Sequence, residues 1–202
     1  MSTALPLFLG FGLGLRHATD ADHLAAIGTL LHREPTPLRA ARLAAVWGLG
    51  HSLTFLGLGL VVVLFGVRVP PSFERATEGA VAAMLVVLGA LTLVRARRAG
   101  GGGSATWRPL LVGVTHGLAG SAGIAIVALT TVPTTAGALG YLASFGVGTV
   151  LGMMTLTTLV ALPIRWSVRR RGEVPRLVVS LAAAGSIALG LGLGATVLFG
   201  VR

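Results

Sequence analysis

The sequence predicts an all-α integral membrane protein, and its composition and hydropathy pattern carry that prediction. Of the 202 residues, 54% are hydrophobic and 11% are charged, and the mean hydropathy is +0.88. Soluble domains carry about 25% charged residues. The net charge of +10 would suggest nucleic-acid binding in a soluble protein. Here, however, the arginines form short clusters between apolar stretches instead of lining one face, which is typical of membrane proteins.

Six transmembrane helices are predicted, because a hydrocarbon core about 30 Å thick requires about 20 apolar residues per helix. The predicted spans lie near residues 4–31, 40–66, 78–98, 108–131, 138–162 and 177–201. Proline pairs, arginine clusters and a glycine-rich segment separate them. We therefore expect residues 1–202 to form a single multi-pass transmembrane domain.

The arginine distribution predicts the orientation of these spans. The loops between spans 1 and 2, 3 and 4, and 5 and 6 hold twelve arginines, whereas the opposite side holds only Arg68, Arg75 and Arg202. Cytoplasmic loops are enriched in arginine and lysine. Both termini are therefore expected outside the cytoplasm, with the protein in the plasma membrane.

An internal repeat divides the predicted domain into two halves. Gly14–His17 matches Gly113–His116 at a distance of 99 positions, and Trp47–His51 matches Phe145–Thr149 at 98. Repeat 1 would cover 1–99 and repeat 2 would cover 107–202, joined by a glycine-rich cytoplasmic linker at 99–106. Three spans per half give the halves opposite orientations, which is typical of transporters with a midplane site. Chance agreement among glycine-rich helices is the alternative.

The stretch Arg16–Leu24 places one cation, two imidazoles and two carboxylates inside the first span. Three charges near the bilayer centre cost about 7–10 kcal/mol, which favours a functional reason for them. On a continuous helix, His17, Asp20 and His23 lie within an arc of about 120°. Asp22 points away and joins them only if the helix unwinds locally, which the glycines at 10, 12 and 14 would ease.

Nitrogen and carboxylate ligands together suit divalent transition metals such as Ni²⁺, Co²⁺, Zn²⁺ or Cu²⁺. We expect Arg16 to be neutralised by Asp20 or Asp22. In the alternative interpretation, Arg16 pairs with Asp20 and the histidines form polar contacts between helices.

Two further histidines lie inside predicted spans. His51 lies in the second span, and the repeat places His116 of the fourth span opposite His17. An interhelical hydrogen bond is the alternative role for each. The chain has no cysteine, which excludes thiolate ligands. The candidate metal ligands are His17, Asp20, Asp22, His23, His51 and His116, and no catalytic residue or resident cofactor is predicted.

At His17–His23 the sequence resembles the nickel/cobalt transporter (NiCoT) family, whose signature is His-x4-Asp-His, usually preceded by Arg. Leu49–Ser52 resembles the second motif of that family. The resemblance implies metal-related roles for His17, Asp22, His23 and His51, with Asp20 also matching, and it implies uptake of Ni²⁺ or Co²⁺ across the plasma membrane.

The chain also departs from that family. Those transporters usually have eight spans and later acidic motifs, which are missing here. Instead, His116–Ala122 resembles the shorter, UreH-like urease accessory membrane proteins of the same superfamily.

The expected function is therefore that of a secondary transporter or facilitator moving Ni²⁺ or Co²⁺, in the direction of uptake. Metal efflux, or nickel delivery to urease-type enzymes without transport, are the alternatives. A membrane-embedded metal hydrolase is disfavoured because no nucleophile or substrate cleft is suggested. The expected partners are the metal ion and the lipid bilayer, without nucleic acid; a homo-oligomer or nickel-enzyme maturation proteins are further candidates.

Overall fold

A computed structural model describes residues 4–30, 36–97, 107–119, 132, 134–171 and 176–200, and its regular structure there consists of helices. The helices are α1 (Ala4–His17), α2 (Ala21–Leu30), α3 (Pro37–Phe65), α4 (Pro71–Arg97), α5 (Trp107–Leu118), α6 (Thr135–Arg171) and α7 (Arg176–Phe199). Within these described ranges, α3, α4, α6 and α7 are long and apolar enough to cross a membrane. The all-α prediction is confirmed.

The predicted spans and the helices agree at four places. The second, third, fifth and sixth spans correspond to α3, α4, α6 and α7. In the fourth span, α5 is seen as far as Leu118, and residues 120–131 lie outside the described part of the chain. The predicted linker at 99–106 also lies outside it. The count of six spans therefore stays a prediction.

The first predicted span is a helix in two pieces. α1 ends at His17 and α2 begins at Ala21. Between them the chain tightens, because the amides of Thr19 and Asp20 bond carbonyls three residues back, at 2.9 and 3.0 Å. The Thr19 hydroxyl also donates to the Arg16 carbonyl at 2.6 Å. Short polar side chains that bond the nearby backbone compete with a regular helix, which accounts for the break.

Local sequence also sets the ends of α3. The Thr36 hydroxyl accepts from the Arg39 amide, and Pro37 stands at the first helical position, where its missing N–H removes no helical bond. Gly66 ends the helix in the left-handed conformation, with φ +62°, and its amide bonds the Val62 carbonyl. His51 is the fifteenth of the 29 residues in between, so it lies midway along the helix.

Glycines bring the helix backbones into contact around the centre of the molecule. α1 packs along α6, α3 packs against both α5 and α6, and α4 packs along α7. A Cβ on Gly14 would meet the Phe145 carbonyl oxygen, and one on Gly113 would meet that of Trp47. Gly10 and Gly14 therefore permit close packing inside a regular helix, and they are not the point at which the first span unwinds.

The close glycine contacts occur in equivalent pairs. In each pair, a glycine of the first half contacts the second half, and its counterpart in the second half contacts the first half. Gly14 lies against Phe145 and Gly113 against Trp47; Gly148 lies against Phe11 and Gly50 against Leu110; Gly89 lies against Ala183 and Gly190 against Ala82. Within each pair the equivalent residues are 98 to 101 positions apart in the sequence. The last pair joins α4 to α7, where the sequence indicates only a vague similarity.

Candidate metal site

Four helices bring their histidines to one buried place. His17 is the last residue of α1, His23 lies in the first turn of α2, His51 lies in α3 and His116 lies near the end of α5. His23, His51 and His116 are 1–2% exposed. The break between α1 and α2 brings the His17 and His23 rings to a centroid distance of 4.7 Å, edge to face. Burial of so many polar rings in an apolar protein indicates a function.

The first ligand group, which we call the imidazole group, consists of His17, His23 and His51. One possible ligand atom from each lies within 4.8 Å of the others. The Nε2 atoms of His17 and His51 are 3.2 Å apart. Two nitrogens bound to one ion at 2.0–2.1 Å are separated by about 2.9–3.4 Å in octahedral or tetrahedral geometry. The observed spacing matches that of two ligands on one metal ion.

The carboxylates beside this group hold the outer nitrogens of two rings. Asp20 Oδ2 lies 2.7 Å from His17 Nδ1, and Asp22 Oδ1 lies 3.0 Å from His23 Nδ1. An ionised carboxylate only accepts hydrogen bonds, so each Nδ1 donates to it, and in the neutral ring the lone pair of Nε2 is then available to a metal ion. This is the carboxylate–histidine arrangement that orients metal ligands. Asp20, predicted as a ligand, is thus placed behind His17 and not beside the Nε2 atoms.

The second ligand group, which we call the carboxylate group, consists of Asp22, His23 and His116. Asp22 Oδ2 lies 3.3 Å from His116 Nε2, while its other oxygen holds His23. The His23 and His116 rings lie 4.8 Å apart at an interplanar angle of 30°. The sequence predicts that Asp22 joins the other ligands only if the helix unwinds locally. The structure meets this condition, because the helix is interrupted just before Asp22.

Two aromatic rings, those of Trp47 and Phe145, border these groups, and no role is predicted for either from the sequence. Trp47 stacks on His23 at 5.5 Å and lies 6.0 Å from His116, whereas Phe145 lies 5.4 Å from His17. Both rings are buried. The internal repeat offered a signal, because it aligns Trp47 with Phe145.

Arg16 does not take the predicted role. Among the ion pairs of the described residues, none joins Arg16 to Asp20 or Asp22. Its side chain is exposed, and both carboxylates are turned towards histidines. The reason is the break, which removes the i,i+4 geometry that an Arg16–Asp20 pair would need.

Comparisons with known proteins agree with this chemistry. The family model NicO, high-affinity nickel-transport protein, matches residues 5–99, which include five of the six candidate ligands. The urease accessory protein UreH of Bacillus sp. (strain TB-90) is 30% identical over 181 residues, covering 81% of this chain and 79% of that protein. No solved structure matches.

Two further relatives match over smaller parts of their own length. A high-affinity nickel transport protein of Cupriavidus necator is 42% identical over 76 residues, 37% of this chain and 20% of that protein. The chloroplast protein FOR GROWTH AND FERTILITY 2 of Arabidopsis thaliana is 27% identical over 204 residues, 91% of this chain and 54% of that protein.

Proposed function

The chain belongs to the nickel/cobalt transporter superfamily, in its UreH-like branch, and on that premise we propose that it carries Ni²⁺ across the plasma membrane in the direction of uptake. The observation that carries the proposal is the imidazole group, in which His17 and His51 present their Nε2 atoms to each other at 3.2 Å beside a broken helix. Discontinuous helices at the membrane midplane form the substrate sites of many secondary transporters.

The ligand chemistry supports a transition metal as the cargo. Imidazole suits nickel, cobalt, copper and zinc, whereas Mg²⁺ and Ca²⁺ prefer oxygen ligands. The ring nitrogens of His23 and His51 are buried, so an ion that binds them must shed water for nitrogen ligands. Co²⁺ fits the same ligands and is proposed as a second cargo.

The paired glycine contacts support the proposal of two inverted repeats with six spans. A two-fold axis between the halves produces such exchanged contacts, and an odd number of spans in each half makes the repeat inverted. The arginine distribution then puts both termini outside the cytoplasm. With His51 midway along α3, both ligand groups lie near the membrane centre.

The membrane potential supplies the driving force for uptake in this proposal. It is worth about 2.3 kcal/mol per charge per 100 mV, hence about 4.6 kcal/mol for a divalent ion. That free energy sustains a concentration gradient of more than about a thousandfold. A facilitator with a buried site therefore needs no separate energy source for trace metal uptake.

Nickel delivery without transport is the second candidate, and the similarity to the urease accessory protein of Bacillus favours it. In that role the chain would hold nickel at the membrane and pass it to proteins that assemble a urease-type enzyme. Efflux is the third candidate, since the ligand groups themselves have no direction.

Uptake of radioactive nickel into proteoliposomes with an imposed potential, negative inside, tests the proposal. We expect potential-dependent uptake that His17→Ala abolishes and that the control variant Thr196→Val, an exposed residue of α7 outside both ligand groups, leaves unchanged. Tight nickel binding without flux would overturn transport in favour of delivery. Flux that requires a potential positive inside would favour efflux.

A further inference from the structure

We propose that the transported ion occupies two adjacent positions in turn, first the imidazole group and then the carboxylate group, with His23 as the ligand common to both. This inference rests on the proposed transport function. The two carboxylate oxygens of Asp22 face different histidines. Oδ1 lies 3.0 Å from His23 Nδ1, and Oδ2 lies 3.3 Å from His116 Nε2. His23 Nε2 is buried without a hydrogen-bond partner in the described structure.

The shared ring allows a single ion at a time. His23 belongs to both groups, and within each group the ligand atoms lie within 4.8 Å of one another. Two divalent ions held so close together in an apolar interior would repel strongly. An ion that leaves the first position therefore exchanges His17 and His51 for Asp22 and His116, while His23 stays bound.

The order of the two positions follows from the aromatic neighbours along α3. Trp47, His51 and Phe55 follow one another at intervals of four residues, about 6 Å of helix rise each. Trp47 contacts the His23 and His116 rings. At the other end, Phe55 lies 4.8 Å from Phe145.

Phe145 in turn lies against His17, which belongs only to the imidazole group. The imidazole group is thus on the Phe55 side, and the carboxylate group is on the Trp47 side. In the proposed orientation α3 begins at the cytoplasmic face, so the imidazole group faces outside and the carboxylate group faces the cytoplasm.

The two positions differ in the charge of their ligands, and this difference favours movement of the ion to the second position. The imidazole group holds the ion with neutral rings, and Asp20 lies behind His17, whereas Asp22 is itself a member of the carboxylate group. A carboxylate attracts the dication inward from the neutral ligands. His116, which comes from the second half of the chain, completes that position and has no part in the first.

Single-site variants in proteoliposomes, combined with nickel binding to the purified protein, test the relay. Wild type is expected to bind one Ni²⁺ per chain. His116→Gln keeps a polar side chain next to Asp22 but removes the imidazole ligand. It should bind nickel within about threefold of wild type, because the imidazole group is intact, but transport it at least about tenfold more slowly.

His51→Ala provides the reciprocal measurement. It should still bind one ion at the carboxylate group, but more weakly than wild type, and X-ray absorption at saturating nickel should then show fewer imidazole ligands and a carboxylate oxygen. The double variant His51→Ala/His116→Gln should lose binding.

Uptake by His116→Gln at the wild-type rate would overturn the relay and leave Asp22–His116 as a contact that only joins α2 to α5. Two ions bound at once to wild type would overturn the shared ligand. Neither result affects the proposed function, which fails if wild type moves no nickel or moves it only at a potential that is positive inside.

Discussion

In the first half of the chain, Gly14 lies against α6 and Gly50 lies against α5. In the second half, Gly113 lies against α3 as the counterpart of Gly14, and Gly148 lies against α1 as the counterpart of Gly50. The ligands do not follow this symmetry. His17 has a histidine counterpart in His116, but the counterpart of His51 is Thr149. The halves thus share the small residues that set helix distances, while most of the candidate metal ligands belong to one half. Symmetric packing therefore does not require symmetric candidate ligands.

Thr149 illustrates the difference. Its side chain is fully buried, and its hydroxyl donates to the Phe145 carbonyl of its own helix at 2.9 Å. His51, at the equivalent place, directs Nε2 to His17 instead. The second half therefore contributes a scaffold, one aromatic ring and one candidate ligand.

The largest effect is expected when the two equivalent positions are changed separately. His51→Ala should lower nickel affinity at least about a hundredfold, because it removes a direct ligand, whereas loss of an orienting partner costs 10–100-fold. Thr149→Val removes a hydroxyl that bonds the backbone of its own helix, so it should leave affinity within about twofold. Isothermal titration of the purified proteins measures both. A large loss in Thr149→Val would show that Thr149 itself contributes to binding the ion.

A second test concerns the shared packing. Gly14→Ala and Gly113→Ala each push a methyl group into a carbonyl oxygen of the neighbouring helix, so both should lower the free energy of unfolding by about 1–3 kcal/mol. Reversible unfolding in mixed micelles measures this.

The controls for that test are Gly12→Ala and Gly57→Ala, where a Cβ meets nothing within 4 Å. They should be neutral or stabilising by up to about 1 kcal/mol, because alanine favours the helix. Unequal losses of unfolding free energy in Gly14→Ala and Gly113→Ala would show that the packing of the two halves is not symmetric.

An intermediate effect is expected from the orienting carboxylate. Asp20 is 51% exposed and bonds His17, whereas the equivalent position in the second half is Ala119. Asp20→Asn should weaken nickel binding about tenfold, because it weakens the bond that fixes the His17 ring. X-ray absorption should show the same ligands as in wild type. A changed ligand set would mean that Asp20 binds the metal directly.

The smallest effect concerns the aromatic pair, and the absence of cysteine makes it measurable. A single Ser52→Cys, next to His51, reports access of a membrane-impermeant thiol reagent. In the proposed orientation, Phe145→Leu should speed labelling from outside, and Trp47→Leu should speed it from the cytoplasmic side, each by a few-fold, because a smaller side chain then covers the site. Acceleration from the same side in both variants would contradict the assigned order.

Much of this protein follows from its sequence alone. The length and hydropathy of the apolar stretches predict helices because a bilayer demands them, and α3, α4, α6 and α7 agree. Intramembrane histidines and carboxylates are rare, so His17, Asp22, His23, His51 and His116 could be singled out without coordinates, and the structure brings them together.

Only the tertiary structure decided which of these side chains face one another. The position of the break set Asp22 between His23 and His116, left Asp20 behind His17 and left Arg16 without either carboxylate. Helical periodicity cannot give these directions, because it assumes a continuous helix. Trp47 and Phe145 acquire their places from neighbouring helices as well. The sequence determined which chemical groups enter the membrane, and the packing of four helices determined which atoms face one another.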